Sequence, residues 1–501
     1  MGLVSAPALS ILCFVLLPTE YDVGQGVGAP LSVAGRATLA AMVWMAVWWL
    51  TEAIDVAATA LLPIVLFPLL GIADIRTVTA SYGDQLIFLF MGGFILALSM
   101  QRWGLGRRVA LFVLRYVGTN PTLMVGAFML LTAVFSAFVS NTATVAMMLP
   151  IAVSVIELVR QGASSDSDVG GAPEHAKRYD DSFGKSLMLG IAYAASIGGL
   201  ATIIGSPPNG ILVSFLREQI SDDYKRSISF AQWVRVGLPL ATVFLPVTWI
   251  LLTRVIYPSR IKRIEGGRQL IDAEYARLGR PSRGELATFI VFMITAVLWI
   301  SRPVLVRLSL PGMTYLTDYG IAMLGALLLF IIPVNLKRGE FVMNWQTAKQ
   351  LPWGVLILFG GGLSLAAAVK ANGVAEFLGS QMASLQGVPT VVLVLAVAAG
   401  MIFLTELTSN TATTATMVPV LAGLAPGLGV HPYLLIVPAT LAASCAFMLP
   451  VATPPNAIIF GSGQVSIAQM CKAGLWLNLI GVLLITLMSM LLLGSLLGVA
   501  L

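Results

Sequence analysis

The sequence has very little charge for its length. Only 10% of its 501 residues are Asp, Glu, Lys or Arg, whereas 58% are hydrophobic. Soluble globular domains carry about a quarter charged residues. The composition therefore excludes a soluble protein and indicates a polytopic protein of the lipid bilayer. The basic residues behind the formal net charge of +6 cluster in a few loops. We read them as orientation signals and expect no nucleic acid partner.

Cysteine and histidine are also scarce. Cys13, Cys445 and Cys471 are scattered in apolar sequence, so neither a disulfide framework nor a Cys-x-x-Cys site is indicated. His175 and His431 lie in predicted loops, where we expect no chemical role for either. With no cluster of metal ligands and no catalytic dyad in the sequence, we predict that the protein is not an enzyme.

One polar motif occurs twice inside apolar sequence. Ser140-Asn141-Thr142-Ala143-Thr144 is followed, 269 residues later (409 minus 140), by Ser409-Asn410-Thr411-Ala412-Thr413. The surroundings match at the same offset, with Phe90 corresponding to Phe359, Gly104 to Gly373 and Pro150 to Pro419. Hydroxyls and amides at bilayer depth cost free energy unless they are paired, so they mark helix packing or a binding site. The duplication favours a binding site and divides the chain into two related halves.

A second motif pair breaks a helix in each half. Gly205-Ser206-Pro207-Pro208-Asn209 and Ala452-Thr453-Pro454-Pro455-Asn456 both interrupt apolar runs. Two consecutive prolines cannot continue a helix, because they lack N–H donors and crowd the preceding turn. Broken helices at corresponding positions of two halves are typical of secondary transporters, whose site lies where the breaks meet.

The apolar runs predict an all-α polytopic membrane protein. A crossing of about 30 Å of hydrocarbon needs about 20 residues. Eleven runs are long enough, at roughly 5–20, 31–51, 56–72, 85–118, 186–216, 233–257, 285–301, 318–336, 351–379, 433–463 and 474–500. Residues 8–17 belong to the first of these, because no basic residue or cleavage pattern marks a signal peptide.

Two further apolar runs, 122–159 and 390–425, are each cut by a Ser-Asn-Thr motif into arms of about 17 residues, which is marginal for a crossing. We predict that each run is a re-entrant hairpin. Two full crossings joined by a surface turn remain the alternative, since they give the same topology on either side.

Basic residues predict the orientation. Most of the 29 basic residues fall in loops of one side, which the positive-inside rule assigns to the cytoplasm. The N-terminus is then cytoplasmic and the C-terminus outside. Phe90 enters its helix from outside and Phe359 from inside, so the two halves form an inverted-topology repeat.

The motifs suit both ions of a salt. A helix N-terminus presents unpaired N–H groups and partial positive charge, which can hold an anion. Residues 142–144 and 411–413 begin the second arms of the predicted hairpins and fit such an anion site. The unpaired carbonyls at the ends of the first arms, together with hydroxyl and amide oxygens, suit a hard cation such as Na+. Glu406 is the one carboxylate beside these motifs. Glu406 has either a direct functional role or bonds neighbouring backbone, and we favour the second interpretation.

These residues resemble a family. The paired motifs, Trp48-Trp49-Leu50-Thr51-Glu52-Ala53 and Leu86-Ile87-Phe88-Leu89-Phe90-Met91-Gly92-Gly93 resemble the divalent anion:sodium symporter family of INDY-type di- and tricarboxylate transporters. The resemblance implies a homodimer that works by an elevator mechanism, in which a transport domain slides against a scaffold. The scaffold would comprise 1–120 and 259–387, and the transport domain 121–258 and 388–501. Ser206 departs from the threonine often found there, but it keeps the hydroxyl.

The resemblance also implies the site residues. One sodium site would be built from Ser136, Ser140, Asn141 and Gly205, and the other from Thr405, Thr408, Asn410 and Ala452. Substrate carboxylates would meet Ser140, Asn141, Thr142, Ser409, Asn410, Thr411, Thr453 and Pro454. The expected function is sodium-coupled import of C4-dicarboxylates, such as succinate, malate and fumarate, across the plasma (inner) membrane. A sodium-independent dicarboxylate antiporter, or a relative that handles citrate or sulfate, remains the alternative.

Overall fold

The structure is a computed structural model that describes residues 2–22, 28–165, 173–259, 261, 263–264, 266–308, 315–382 and 386–497. In the first half of the chain the helices are α1 Gly2–Leu16, α2 Val33–Thr51, α3 Val56–Thr59, α4 Leu62–Leu69, α5 Ile75–Ala80, α6 Gln85–Arg102, α7 Leu105–Val117, α8 Pro121–Ser136, α9 Asn141–Ser165, α10 Pro173–Gly199, α11 Pro207–Ser214 and α12 Phe230–Ile250. Two π-helical turns, Phe215–Gln219 and Leu251–Ile256, extend α11 and α12.

The second half is equally helical. Its helices are α13 Gly267–Arg277, α14 Arg283–Arg307, α15 Asp318–Ile331, α16 Trp345–Ala348, α17 Trp353–Ala371, α18 Val374–Gln381, α19 Thr390–Thr405, α20 Asn410–Gly427, α21 Tyr433–Ala443, α22 Pro454–Gly461, α23 Ile467–Leu491 and α24 Leu493–Leu497. Short 3-10 turns at Ser81–Gly83, Asp222–Tyr224 and Leu336–Arg338 lie in the connections.

Each of the eleven predicted apolar runs contains a helix, which confirms a polytopic helical protein. Among the described residues, seven helical segments are long and apolar enough to cross a bilayer by themselves: Val33–Thr51, Ile75–Arg102, Asn141–Arg160, Phe230–Ile256, Arg283–Arg307, Trp353–Ala371 and Ile467–Leu491. The remaining apolar helices are shorter or interrupted. The count of eleven crossings therefore stays a prediction.

Two of the predicted spans, at equivalent positions of the two halves, each divide into two helices at a glycine. The run 85–118 divides into α6 and α7 at Gly104, and the run 351–379 divides into α17 and α18 at Gly373. Both glycines are left-handed, with φ of 67° and 69° and the same ψ of 18°. A side chain disfavours this conformation, so glycine allows the chain to turn sharply there. The matching angles carry the sequence repeat into the backbone.

Two small strand pairs lie in the connections of this mostly helical protein. Strands β1 Glu20–Asp22 and β2 Gly28–Pro30 pair antiparallel, as do β3 Pro333–Asn335 and β4 Glu340–Phe341. The second pair closes a tight turn at Gly339, which has a φ of 61°. The pairs are too short to leave a periodic signal in the sequence.

The two motif-containing runs form helix pairs, as expected; the arms of the second pair have 16 and 18 residues, but those of the first are unequal. Arms α8 and α19 have 16 residues each, which gives a length of about 24 Å. Arm α9 has 25 residues, more than the expected 17, because the helix continues into the polar residues after 159. The described part of α10 packs against α8 and α9, with Leu187, Ala192 and Ala195 fully buried. This buried helix leads to the first Pro-Pro break.

Candidate substrate and cation site

Each Ser-Asn-Thr motif lies at the point where one hairpin arm ends and the next begins. In the first hairpin, the Ser136 hydroxyl at the end of α8 donates to the Asn141 amide oxygen at the start of α9, at 2.5 Å. In the second, the Thr405 hydroxyl makes the same bond to the Asn410 amide oxygen, also at 2.5 Å. The four residues are related by the sequence offset, so the two hairpins present equivalent pairs of oxygen ligands.

The hairpins differ one step further on. The Thr408 hydroxyl forms a hydrogen bond with the Thr413 hydroxyl, at an oxygen–oxygen distance of 2.7 Å. The equivalent of Thr408 in the first hairpin is Val139, which has no hydroxyl. The buried hydroxyl of Thr144, the counterpart of Thr413, accordingly has no hydrogen-bond partner in the part of the chain that the structure describes. The second hairpin thus offers one oxygen more than the first.

Asparagine side chains hold both Pro-Pro breaks in the same way. The Asn209 amide donates to the carbonyls of Gly199 and Thr202, at 3.0 and 2.8 Å. The Asn456 amide donates to the carbonyls of Ala446 and Leu449, at 3.2 and 3.1 Å. In both halves the two carbonyls lie 10 and 7 residues before the asparagine. Both asparagines are fully buried. The breaks are therefore ordered loops whose carbonyls point in defined directions.

Oxygen atoms converge at the first break. A Cβ added at Gly199 would lie 2.9 Å from the Asn141 amide oxygen and 3.0 Å from the Gly205 carbonyl oxygen. A Cβ at Gly205 would lie 3.0 Å from the Ala137 carbonyl oxygen. Glycine thus allows these amide and carbonyl oxygens to lie close together beside the Ser136 hydroxyl. Uncharged oxygen ligands of this kind fit Na+.

The second break carries the corresponding groups. The Thr405 hydroxyl also reaches the Ala443 carbonyl, at 3.0 Å, and so joins the hairpin to the end of α21. Ala452 is buried, and Thr453 caps α22 by accepting the Asn456 N–H at 3.3 Å. The Glu406 carboxylate is buried and bonded to backbone N–H groups of the loop before Ala452. Of the two roles weighed for Glu406, the structure shows bonding to backbone.

The two breaks meet. The Ser206 hydroxyl, at the start of α11, lies 2.9 Å from the Ser444 hydroxyl at the end of α21. Helix α11 also packs on α20, and α22 packs on α9, so each break lies against the hairpin of the other half. The direct contacts among the predicted sodium-site residues occur within each half, and the serine pair joins the halves.

The predicted substrate residues lie on a partly accessible surface. Ser140, Asn141, Ser409, Asn410 and Thr411 are half-buried, whereas Thr142 and Pro454 are exposed and Thr453 is buried. The first N–H groups of α9 and α20 lie at this surface and have no partner within their helices. Such a surface can accept a carboxylate through N–H and hydroxyl donors.

Sequence reasoning missed several groups of the site. Gly199, Thr202 and Ser444 lie in ordinary apolar runs, and no pattern distinguished them. Asn209 and Asn456 were visible in the Pro-Pro motifs, but their roles depend on carbonyls that fold back on them. The repeat itself was the available signal, because both asparagines recur at the same place after the prolines.

Comparison with known proteins places this geometry among transporters. The sodium:sulfate symporter transmembrane region matches residues 11–499. The chain is 40% identical over 500 residues to the sodium-dependent dicarboxylate transporter SdcS of Staphylococcus saprophyticus, and 41% identical over 500 residues to SdcS of Staphylococcus aureus strain MRSA252. Each match covers 100% of this chain and 92% of the relative.

Solved structures share the fold at low identity. The YdaH transporter of Alcanivorax borkumensis matches 99% of this chain and 97% of its own, with a TM-score of 0.60 and 12% identity. MtrF of Neisseria gonorrhoeae matches 97% of this chain and 95% of its own, with a TM-score of 0.52 and 12% identity. These likenesses concern the fold alone.

Proposed function

Because the chain belongs to the sodium:sulfate symporter family, we propose that it is a secondary active symporter that imports C4-dicarboxylates, such as succinate, malate and fumarate, together with sodium. The members of this family are transporters and not enzymes. The relatives at 40% identity are sodium-dependent dicarboxylate transporters, which supports both the ion and the substrate class. The site would act by binding and not by covalent chemistry.

One observation carries the sodium assignment: the equivalent hydroxyl–amide pairs Ser136–Asn141 and Thr405–Asn410. In the first site Ser140 and the Gly205 carbonyl complete the ligand set. In the second, Thr408 and the Ala452 carbonyl complete it. When sodium binds, each hydroxyl turns its proton away so that both oxygens of the pair face the ion. Hydroxyl, amide and carbonyl oxygens are the ligands that a hard monovalent cation prefers.

The dicarboxylate would lie between the two hairpin tips. One carboxylate would meet Ser140, Asn141 and Thr142, and the other Ser409, Asn410 and Thr411, with Thr453 and Pro454 on the facing break. The Asn141 and Asn410 amides have a double role in this arrangement. Their oxygens serve the cation and their NH2 groups serve the substrate.

Transport would follow an elevator mechanism in a homodimer, with segments 121–258 and 388–501 moving against 1–120 and 259–387. Two ion pairs cross between these segments. Arg217 bonds the Asp84 carboxylate at 2.7 Å, and Lys370 bonds that of Asp222 at 3.0 Å. Sliding of one part past the other would break both contacts and remake others.

The orientation can be tested with single cysteines. With Cys13, Cys445 and Cys471 replaced by alanine, Asp223→Cys should react with a membrane-impermeant thiol reagent from outside the cell. Arg280→Cys should react only after the membrane is opened. Both side chains are exposed in the structure. Reaction of both from the same side would contradict the inverted-topology repeat.

The function itself is tested by uptake of labelled succinate into proteoliposomes. We expect accumulation with an inward sodium gradient and none when potassium replaces sodium. Unlabelled malate and fumarate should compete, and citrate and sulfate are the informative additional competitors. Equal uptake in both salts, dependent on dicarboxylate loaded inside, would instead identify a sodium-independent antiporter.

A further inference from the structure

Glu406 is a buried carboxylate with four hydrogen-bond donors around it. Its Oε1 accepts the backbone N–H groups of Phe447 and Met448, at 2.7 and 2.9 Å, and the Asn478 amide at 2.7 Å. Its Oε2 accepts the Leu449 N–H at 3.0 Å. The side chain is 3% exposed. An ionised carboxylate is an acceptor only, so its chemistry matches this set of donors.

The first half of the protein holds its break without a charge. The position equivalent to Glu406 is Ala137, whose carbonyl accepts the Thr202 hydroxyl. Thr202 in turn accepts the Gly205 N–H at 3.1 Å. The break at 200–206 is also shorter than the break at 444–453. The longer loop therefore depends on one side chain, Glu406, for three consecutive N–H groups.

Among the described residues, Glu406 has no basic partner. All four of its hydrogen bonds come from neutral groups. A carboxylate buried at membrane depth is costly, and the neutral donors offset only part of that cost. Glu406 directly follows Thr405, whose hydroxyl belongs to the second oxygen pair. A sodium ion at that pair would supply the missing positive charge.

We propose that Glu406 is the positioning residue of the second cation site and gives that site a higher sodium affinity than the first. Its hydrogen bonds fix the loop that presents the Ala452 carbonyl and the Thr453 hydroxyl. Its negative charge attracts the ion bound beside Thr405. The first site, built on Ala137, has the same oxygen pair but neither contribution. The inference rests on the proposed function, since it assigns unequal strength to the two sodium sites of that proposal.

The test compares Glu406→Gln, Glu406→Asp and a control, Glu285→Gln, at constant ionic strength with choline as the replacement cation. Glu285 is also a buried carboxylate, but it pairs with Arg108 at 2.8 Å and lies on α14, away from the hairpin tips. Sodium titrations would follow thermal stability of the purified protein without substrate, and succinate uptake in proteoliposomes. Both readouts give a half-saturating sodium concentration.

We expect Glu406→Gln to raise the half-saturating sodium concentration about tenfold or more, which equals about 1.4 kcal/mol of binding free energy. Maximal uptake should recover partly at high sodium. Glu406→Asp keeps the charge and should give a smaller rise, which is the rescue that loss of packing alone would not produce. The control should lower the unfolding temperature and leave the half-saturating concentration unchanged.

An unchanged half-saturating concentration in Glu406→Gln, with only a lower unfolding temperature, would overturn the inference. If Glu406→Gln yields no folded protein, Glu406→Asp decides by the same criterion. The unmodified protein separates this failure from that of the proposed function. Uptake by the unmodified protein that ignores sodium would refute the symporter, whereas sodium-dependent uptake shared equally by all variants would refute only the role of Glu406.

Discussion

Phe90 packs edge-on against Phe359, with ring centroids 4.7 Å apart and ring planes inclined by 64°. The two residues are equivalents in the two halves of the chain. Both rings are fully buried. Helices α6 and α17, which carry the matching segments of the sequence repeat, therefore meet in the interior of the protein through equivalent side chains.

Replacing either site asparagine should abolish transport. Asn141→Ala and Asn410→Ala each remove an amide oxygen that accepts a hydrogen bond from a hydroxyl at 2.5 Å, together with the NH2 group that the proposed arrangement assigns to the substrate. We expect uptake of labelled succinate to fall to background while the purified protein elutes as the unmodified one does. Asn335→Ala is the control, because Asn335 caps an exposed turn and should leave uptake intact. Near-normal uptake by both site variants would mean that the motifs serve only helix packing.

A methyl group at Gly199 should damage the first sodium site selectively. The added Cβ would lie 2.9 Å from the Asn141 amide oxygen and 3.0 Å from the Gly205 carbonyl oxygen, so one or both oxygens would have to shift. We expect Gly199→Ala to raise the half-saturating sodium concentration more than about tenfold. Gly184→Ala, on the same helix, meets Ile156 methyl groups at 3.6 Å and should have no effect. Equal sodium titrations for both variants would exclude Gly199 from the site.

The left-handed glycines should resist substitution for conformational reasons. Gly104 and Gly373 have φ near +68°, and no heavy atom lies close enough to either to clash with an added Cβ. Alanine in this conformation costs about 1–2 kcal/mol. We expect Gly104→Ala and Gly373→Ala each to lower the unfolding temperature in detergent. Gly400→Ala, in open space within α19, should leave it unchanged or raise it.

A covalent link between the proposed transport domain and the proposed scaffold should stop transport. Asp84→Cys with Arg217→Cys places thiols on both sides of a contact that the proposed elevator must break. In the cysteine-free background, a short bifunctional thiol reagent should arrest uptake, and the single variants should be insensitive. Arg115→Cys with Asp272→Cys, a 2.6 Å ion pair within the proposed scaffold, is the control. Undiminished uptake after complete cross-linking of the first pair would rule out the sliding of these segments.

Acidification should not release the neighbouring contact between Lys370 and Asp222. Hydrogen bonds from Lys225 and Lys370 lower the pKa of Asp222 to about 2. A lowered folded-state pKa means that the contact is present above the ordinary pKa and is lost only as the pH falls through about 2. Between pH 5 and 8, any change in uptake should therefore be the same in Asp222→Asn as in the unmodified protein. A pH profile that flattens in this variant would contradict this expectation.

Substrate binding should require sodium. The residues predicted to hold the substrate include no lysine or arginine, so bound cations must offset the charge of the dianion. We expect succinate to raise the unfolding temperature in sodium and to leave it unchanged in choline. A ligand at 100 times its dissociation constant adds about 2.7 kcal/mol of stability. Equal stabilisation in choline would place an unrecognised positive group in the site.

Much of this molecule follows from local sequence. The Ser-Asn-Thr motifs and the Pro-Pro motifs predicted where the helices of two pairs, α8/α9 and α19/α20, end and begin, and where the helix breaks before α11 and α22 lie. Proline ends a helix within one turn, and the length of an apolar run is visible in the sequence, so both features predict helix ends without knowledge of the packing. The pairs Ser136–Asn141 and Thr405–Asn410 are also local, since only five residues separate the members.

Long-range partners could not be read in this way. The Asn478 amide reaches Glu406 across 72 residues, and the Ser206 hydroxyl reaches Ser444 across 238. These contacts are set by how helices pack, and a lone asparagine or serine in an apolar run gives no sign of its partner. The kinks at Gly104 and Gly373 were hidden for a related reason, because α7 and α18 continue the apolar sequence of the helices before them.

Asn209 and Asn456 hold the shape of the two breaks, whereas other residues contact the substrate in the proposed arrangement. Each binds carbonyls ten and seven residues behind it, so the loops keep their shape without help from a bound substrate. Aspartate would lose the N–H donors, and the glutamine side chain is one methylene too long. Few substitutions at Asn209 and Asn456 would therefore preserve these hydrogen bonds. The exposed residues Thr142 and Pro454 carry no such bonds. Substitutions that change substrate preference should therefore occur at Thr142 and Pro454, while the loops held by Asn209 and Asn456 keep their sequence and shape.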